Sequence, residues 1–432
     1  MATTSGSASG SAADQGQQGR WRDAGGDGLA ASLKRTLDKP LTSYHLVLGV
    51  SGLLMTLGLL MVLSASSVSS LREYDSSYAI FMRQAMWVVI GVPLAYVTSR
   101  LPRGLIRGLS WPALIISVLL IAATYIPHVG VTIHGNRNWI SFGGPFQIQP
   151  SELGKLALVL WLADVYARKG RLLGQWRHLL VPMVPACLVV VGLVIGQGDL
   201  GTALVLFAIV LGMLWVVGAP TRLFMGTFLV VAVSAFALVS TERERVERLT
   251  GFLDPMADYG GSGWQASHGF FALATGGLWG RGIGASNQKW GGLPEAHTDY
   301  IFAIIGEEFG LFGTVVVLGL FATLAYAGVR IAARTKDPFV RYASAGIVVW
   351  LLSQALINIG MVLGLLPVIG IPLPLISYGG SALLPTLVAL GLLMSFARTE
   401  PGAKAALRAR KRRSGRTTTQ PRPQRETVSS RT

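Results

Sequence analysis

Ten stretches of mostly apolar residues run through this chain, at about 44–66, 80–99, 109–127, 151–168, 178–196, 199–218, 222–240, 298–328, 341–366 and 380–398. A helix needs about 20 residues to cross roughly 30 Å of hydrocarbon, so each run has the length of a membrane span. Lipid offers the backbone no hydrogen bonds, which makes the helix the expected form. Composition agrees: of 432 residues, 51% are hydrophobic and only 13% charged, too few charges to cover a soluble protein of this size. The expected fold class is an all-α integral membrane protein of about ten transmembrane helices. The runs at 151–168 and 199–218 open on polar residues and are the least suited to face lipid.

The formal net charge of +16 would suit a nucleic-acid binder if the charges were clustered on a soluble surface. They are not. Lys34, Arg35 and Lys39 precede the first run; Arg100, Arg103 and Arg107 follow the second; Arg168, Lys169, Arg171 and Arg177 follow the fourth. Arg222 follows the sixth, Arg330, Arg334, Lys336 and Arg341 the eighth, and Lys411, Arg412 and Arg413 lie in the tail. Every second connection is basic, and the positive-inside rule then places both termini in the cytoplasm. Residues 1–43 read as a disordered cytoplasmic arm without a cleavable signal, 44–398 as one membrane domain, and 399–432 as a basic disordered tail suited to anionic lipid. Connections at about 128–150 and, between spans 7 and 8, about 241–297 fall outside and are longer than connectors need be, the usual mark of function. The single cysteine, Cys187, excludes an intrachain disulfide and cysteine-based metal clusters.

Polar residues concentrate at a few places. Leu293-Pro294-Glu295-Ala296-His297-Thr298-Asp299-Tyr300 runs directly into an apolar helix that carries Glu307 and Glu308 two turns further on. Asp299 there is either a helix cap or a reactive group; buried carboxylates so close by favour a pathway or a site. Asn136-Arg137-Asn138-Trp139 precedes Gln149-Pro150-Ser151-Glu152, with Lys155 three residues beyond Glu152 on one helical face. That pair is either an intrahelical ion pair or, with Arg137, a cationic grip for an anion such as a pyrophosphate. Asp199 heads the sixth run in Gln197-Gly198-Asp199-Leu200-Gly201-Thr202, where a cap is the simpler reading. Trp264-Gln265, the glycine-rich Gly276 to Gly284 with Arg281, and Gln288-Lys289 complete the outer loop, while Asn358 and the Pro/Gly stretch through Ser377-Tyr378-Gly379 close the chain's last outer connection.

Taken in order, these motifs resemble the SEDS family (FtsW/RodA/SpoVE), closest to its division-type FtsW branch. The resemblance is carried by Leu293 to Glu308, by Phe81-x-Arg83-Gln84, Asn138-Trp139, Gln149-Pro150-Ser151-Glu152-x-x-Lys155, Asp199-x-Gly201-Thr202, Arg248 ahead of Phe252-Leu253-Asp254-Pro255, Trp264-Gln265, Gly276 to Gly284, and Asn358 to Ser381. It spans about 44–398. Departures are small: Trp264 where Tyr is usual, Tyr300 for Phe, and Ala285-Ser286-Asn287 in the glycine loop. The resemblance implies a peptidoglycan glycosyltransferase that polymerises lipid II at the outer face of the cytoplasmic membrane. The family's essential acid maps onto Asp299 as general base. Arg137, Glu152, Lys155, Arg248, Arg281 and Lys289 are then candidates for substrate and pyrophosphate binding, with Trp139, Asp199, Gln265, His297, Glu308, Asn358 and Ser377 in support. It also implies a class B penicillin-binding protein of the FtsI type and FtsQ, FtsL and FtsB as partners, and admits a magnesium or manganese ion near Asp299. A lipid II flippase and a non-catalytic divisome scaffold are the alternatives.

Orientation is directly testable. In a Cys187→Ala background, a membrane-impermeant thiol reagent should label Ser262→Cys from outside and leave Ser414→Cys untouched; the reverse pattern would overturn the topology.

Overall fold

The computed structural model describes residues 39–133, 135–141, 143, 146–240, 246, 252, 254–261, 263–403 and 405. Arg248 and both terminal arms therefore lie outside the described residues. Two compact units divide the chain, Ser43–Glu400 and one formed by Met1–Thr42 with Pro401–Thr432. The first unit holds helices α1 Thr42–Tyr74, α2 Ala79–Thr98, α3 Arg103–Gly108, α4 Ser110–Ala123, α5 Pro150–Lys169, α6 Trp176–Gly196, α7 Leu200–Val217, α8 Thr221–Ser240, α9 Trp264–Gly276, α10 Ile301–Arg334, α11 Pro338–Val362 and α12 Gly380–Ala397.

All ten expected runs are helical. Eight are long and apolar enough to cross a membrane; α4 and α5 are the exceptions. α4 has only 14 residues. α5 has 20 but carries Glu152, Lys155 and Asp164, and nearly all of its residues from Pro150 to Tyr166 are buried. A helix buried all round is a core element, so its charges never meet lipid. α4 and α11 pack on α5, α7 packs on α11, and α2 lies along α12. At the basic ends of α3 and α5, Arg107 donates to buried Asp164 at 2.6 Å and Arg168 pairs with the same carboxylate at 2.8 Å. Arg103 reaches Asp337, the N-cap of α11, at 2.8 Å.

The first long outer connection is not helical. It folds into three short antiparallel strands, β1 Gly130–Ile133, β2 Asn136–Ser141 and β3 Gln147–Ile148, in the order β1-β2-β3. Val131 stands opposite Trp139, and Ile140 opposite Ile148. The helical bundle is as expected, and this small sheet is an addition to it in a connection. With no sheet to join within the bundle, this connection satisfies its backbone by pairing with itself.

The feature that shapes the outer side is a break in α10. Gly310 has φ +67° and ψ −163°, and the helix is interrupted there. A broken helix frees main-chain donors and acceptors that must find partners elsewhere. They find the glycine-rich segment after α9. Leu311 N donates to Gly277 O at 2.9 Å and Phe312 N to Leu278 O at 3.2 Å. In return, Glu307 O accepts from Arg281 N and Glu308 O from Gly282 N, both at 3.0 Å. The two backbones approach so closely that a Cβ on Gly280 would strike Glu308 O, and one on Gly310 would strike Gly280 N and lie 2.6 Å from Leu278 O.

Gly310→Ala should therefore be costly on two counts, left-handed backbone and collision, by about 1–3 kcal/mol from the backbone alone. Gly319→Ala, on the same helix with nothing within 4 Å of the added methyl, should be neutral or slightly stabilising. Melting temperatures of the two variants in detergent check the contrast. Equal melting temperatures would show that the break is not required.

Candidate active site

Asp299 is the last residue but one of the turn Leu293–Tyr300, separated from α10 by its N-cap Tyr300 alone. The turn is wound about Glu295, whose φ is +52° and whose carbonyl accepts from Thr298 N and Tyr300 N, both at 3.2 Å. Gln265 Nε2 on α9 holds the start of the turn at Pro294 O, 3.2 Å. Three consecutive carbonyls are then taken by α11 and by the strap that joins it to α12. His297 O accepts from Tyr378 N at 2.9 Å, Thr298 O from Ser377 Oγ at 2.5 Å, and Asp299 O from Asn358 Nδ2 at 2.7 Å. Asn358 also donates to Ile371 O at 2.7 Å, Ser377 Oγ accepts from Leu373 N at 2.8 Å, and Gln84 on α2 bonds both Ser377 O and Gly379 N at 3.3 Å. The backbone on each side of Asp299 is thus fixed by side chains from three other elements.

Its carboxylate is left free. The N-cap of α10 is Tyr300, without a side-chain cap bond, so Asp299 does not cap the helix. Among the described residues no donor reaches its oxygens, and a Cβ on Gly370 would stand 3.4 Å from Oδ2, so glycine keeps the space above the carboxylate open. Burial, aided by the Glu295 carboxylate, pushes the Asp299 pKa up to about 7. Burial also holds His297 below the ordinary imidazole range, although Glu295 and Glu73 pull the other way. The His297 ring packs 5.6 Å from that of Tyr378. Among the described residues no three His, Cys, Asp or Glu side chains converge to hold a metal. A magnesium or manganese ion at Asp299 would need phosphate oxygens and water for most of its ligands, which is how magnesium is commonly held.

The candidate cations separate by burial. Lys155 is 1% exposed, bonds Glu152 Oε1 at 2.8 Å and Gln354 Oε1 at 3.2 Å, and lies 5.8 Å from the Trp350 ring. Of the two readings of this pair, the ion pair is the one formed, and it lies in the interior because α5 is enclosed by its neighbours. Lys289 is also drawn inward. Its side chain is 7% exposed, Nζ donates to Gly284 O at 2.5 Å, and it sits 3.5 Å from Ser64 Oγ and 3.9 Å from Glu308 Oε1. Arg137, half-buried on β2 beside Trp139, donates to Ile126 O at 3.0 Å. Arg281 is 39% exposed and 3.8 Å from Glu307.

Several supporting residues prove to be struts. Asp199 caps α7 through Thr202 N at 2.9 Å and also accepts from Asn138 Nδ2 at 2.9 Å and Gln149 Nε2 at 2.7 Å, tying the small sheet to α7. Glu308 accepts from Ser64 Oγ on α1 at 2.5 Å. Its neighbour Glu307 accepts from Ser286 Oγ at 2.5 Å and Asn287 N at 2.9 Å. The sequence reading missed Ser64, Gly370 and Arg83 as site residues. Arg83 donates to Tyr74 Oη at 3.1 Å with its guanidinium 4.3 Å from that ring's centre, and it also contacts Tyr378. Serines crowding the outer end of the first apolar run, and Arg83-Gln84 inside the second, were the available signals.

A family model described as cell cycle protein, FtsW/RodA/SpoVE, matches residues 44–401. The "Probable peptidoglycan glycosyltransferase FtsW" of Mycobacterium tuberculosis is 42% identical over 373 residues, 86% of this chain and 71% of that protein. Stage V sporulation protein E of Bacillus subtilis is 37% identical over 346 residues, 80% of this chain and 94% of that one. Among solved structures, one described as "Structural coordination of polymerization and crosslinking by a peptidoglycan synthase complex" aligns with TM-score 0.67 and 30% identity, covering 82% of this chain and 97% of that one. The Rod shape determining protein RodA of Thermus thermophilus aligns with TM-score 0.59 and 29% identity, covering 82% and 96%.

The buried pair yields a test. Removing one partner of a buried ion pair typically costs about 3–5 kcal/mol, since the other charge is left uncompensated. Lys155→Ala should lower the melting temperature sharply, and combining Lys155→Met with Glu152→Gln should restore most of it. Wild-type stability for Lys155→Ala would return Lys155 to the exposed cations.

Proposed function

The chain belongs to the FtsW/RodA/SpoVE family of cell cycle proteins, and we propose from that premise that it is a peptidoglycan glycosyltransferase. It polymerises lipid II into glycan strands at the outer face of the membrane and releases undecaprenyl diphosphate. The observation that carries the catalytic assignment is the Asp299 carboxylate: half-buried, backbone-fixed on three carbonyls, and without a donor among the described residues. In the reaction, the C4 hydroxyl of the acceptor GlcNAc attacks the anomeric carbon of the donor MurNAc. Asp299 takes the hydroxyl proton, the new C–O bond forms, and the bond to the pyrophosphate oxygen breaks with both electrons on the leaving group.

A general base serves best when its pKa lies near the working pH, and a value of about 7 meets that condition where an ordinary aspartate would be a weak base. Negative charge growing on the leaving pyrophosphate calls for fixed cations. Arg137 and Arg281 keep exposed surface for that role, and Arg83 stands next to the strap that pins the Asp299 turn. Glu152, Lys155 and Lys289 hold the scaffold instead. Multi-pass membrane placement follows from the helices; location at the division septum, and assembly with a crosslinking class B penicillin-binding protein and with FtsQ, FtsL and FtsB, are part of the proposal.

Asp299→Asn keeps the shape but cannot take the proton, so polymerisation of lipid II by the reconstituted protein with its transpeptidase should fall about 10²–10⁴-fold. Wild-type activity should rise with pH through about 7 as the carboxylate ionises. Stability runs the other way. The folded pKa lies above the unfolded value of about 4, so wild-type stability is lost as pH rises from about 4 through about 7. The Asn variant should thus gain in melting temperature over wild type across that interval and hold the gain above it. Near-normal polymerisation by Asp299→Asn would sink the assignment. Robust vesicle flipping of lipid II, without polymerisation by the wild type, would favour a transporter.

A further inference from the structure

Four large apolar side chains crowd the seam between the glycine-rich segment and α10. Leu278 is 64% exposed, Trp279 81% and Ile283 66%, and Phe312, whose ring centre is 6.4 Å from that of Trp279, is 64% exposed. Exposure of this size in water would be an aggregation liability. The backbone beneath is the reverse of exposed. Gly280 N donates to Gly276 O at 2.8 Å, Arg281 N and Gly282 N are taken by Glu307 and Glu308 carbonyls, and the carbonyls of Gly277 and Leu278 are taken by Leu311 and Phe312. A segment whose glycine-rich backbone is largely paired beneath outward apolar side chains suits the interfacial zone of a bilayer, where headgroups and water can meet the remaining peptide groups.

Its level along the bilayer normal follows from α10. Between Leu311 and Arg330 the helix carries no charge, and about 20 residues at 1.5 Å each span roughly 30 Å, one hydrocarbon thickness. The exposed side chains Leu311, Phe312, Val315, Val316 and Leu318 form the outer half of that lipid-facing column. Trp279 lies tilted beside its uppermost ring, at the depth where tryptophan belts lie, and Arg281 in the same segment keeps a partly exposed guanidinium at headgroup height.

We infer that Leu278, Trp279 and Ile283 form an interfacial anchor that dips into the outer leaflet and continues the lipid-facing surface of α10. The anchor is bonded to the break at Gly310, and so it sets the height of the half-helix Ile301–Phe309 that Asp299 precedes. This inference rests on the membrane placement of α10 and is independent of the reaction assigned to Asp299.

Site-directed spin labelling tests it. In a Cys187→Ala background, Trp279→Cys and, separately, Ile283→Cys are labelled with a nitroxide in phosphatidylcholine–phosphatidylglycerol vesicles. Collision with oxygen and with a nickel chelate is then compared with labelled Ala257→Cys, on the exposed outer loop, and labelled Val316→Cys, on the lipid face. Both anchor labels should read a depth between the two references, about 5–10 Å into the headgroup–acyl boundary. They should keep it when an equimolar crosslinking partner is added. Chelate access equal to that of Ala257→Cys, or a label shielded from both reagents with or without the partner, would overturn the anchor and assign the patch to water or to protein.

Discussion

Four main-chain groups freed by the break at Gly310, and the four in the glycine-rich segment that take them up, hold the outer half of this molecule together. Helix interruptions near a bilayer are costly unless another backbone closes the hydrogen bonds. Here the closure is reciprocal, two donors and two acceptors on each side. It requires glycine at Gly280 and Gly310, where any side chain would strike the opposing backbone. Glu307 and Glu308 stand at the break itself. One clasps Ser286 and Asn287 in the outer loop and the other Ser64 of α1, so the half-helix leading from Asp299 is held from both flanks.

Within that frame several buried carboxylates share one arrangement, from which Asp299 departs. Asp164 takes two arginines, Asp199 takes two amides, a hydroxyl and a backbone N–H, and Glu152 takes Lys155. Each is a charge whose cost in a poorly solvated interior is offset by donors. Asp299 is a carboxylate whose carbonyl, with the two before it, is engaged and whose side-chain oxygens meet no donor among the described residues. In the proposed role, fixing the backbone rather than the side chain would position a base without quenching it: donors on the oxygens would lower the pKa, whereas donation to the neighbouring carbonyls leaves burial free to raise it. The instability that results is of the kind that functional sites commonly retain.

Much of this was legible in the sequence. The apolar runs marked ten of the twelve described helices, missing the short α3 and α9, since span length is a local property of consecutive residues. Basic connections at every second turn gave an orientation for the same reason. The order of short polar motifs gave the family, and Leu293 to Tyr300 directly ahead of an apolar helix singled out Asp299. Spacing alone could not say whether Asp299 caps that helix. The answer depended on the conformation of the turn about Glu295 and on Tyr300 occupying the cap position.

The remaining decisions belong to the tertiary structure. Lys155 and Arg137 carry the same charge in adjacent motifs, yet one is sunk beside Gln354, 199 positions away in the chain, and the other stays at the surface. Lys289 is drawn inward by Gly284, Ser64 and Glu308 rather than presented outward. The three carbonyl contacts at His297, Thr298 and Asp299 come from residues 59 to 81 positions away. Hydropathy along a chain records what each residue prefers, and so it marks which segments are suited to a membrane. Whether a given charge is spent on a neighbour or kept for a substrate is set by what packs over it, and that is a property of distant segments brought into contact.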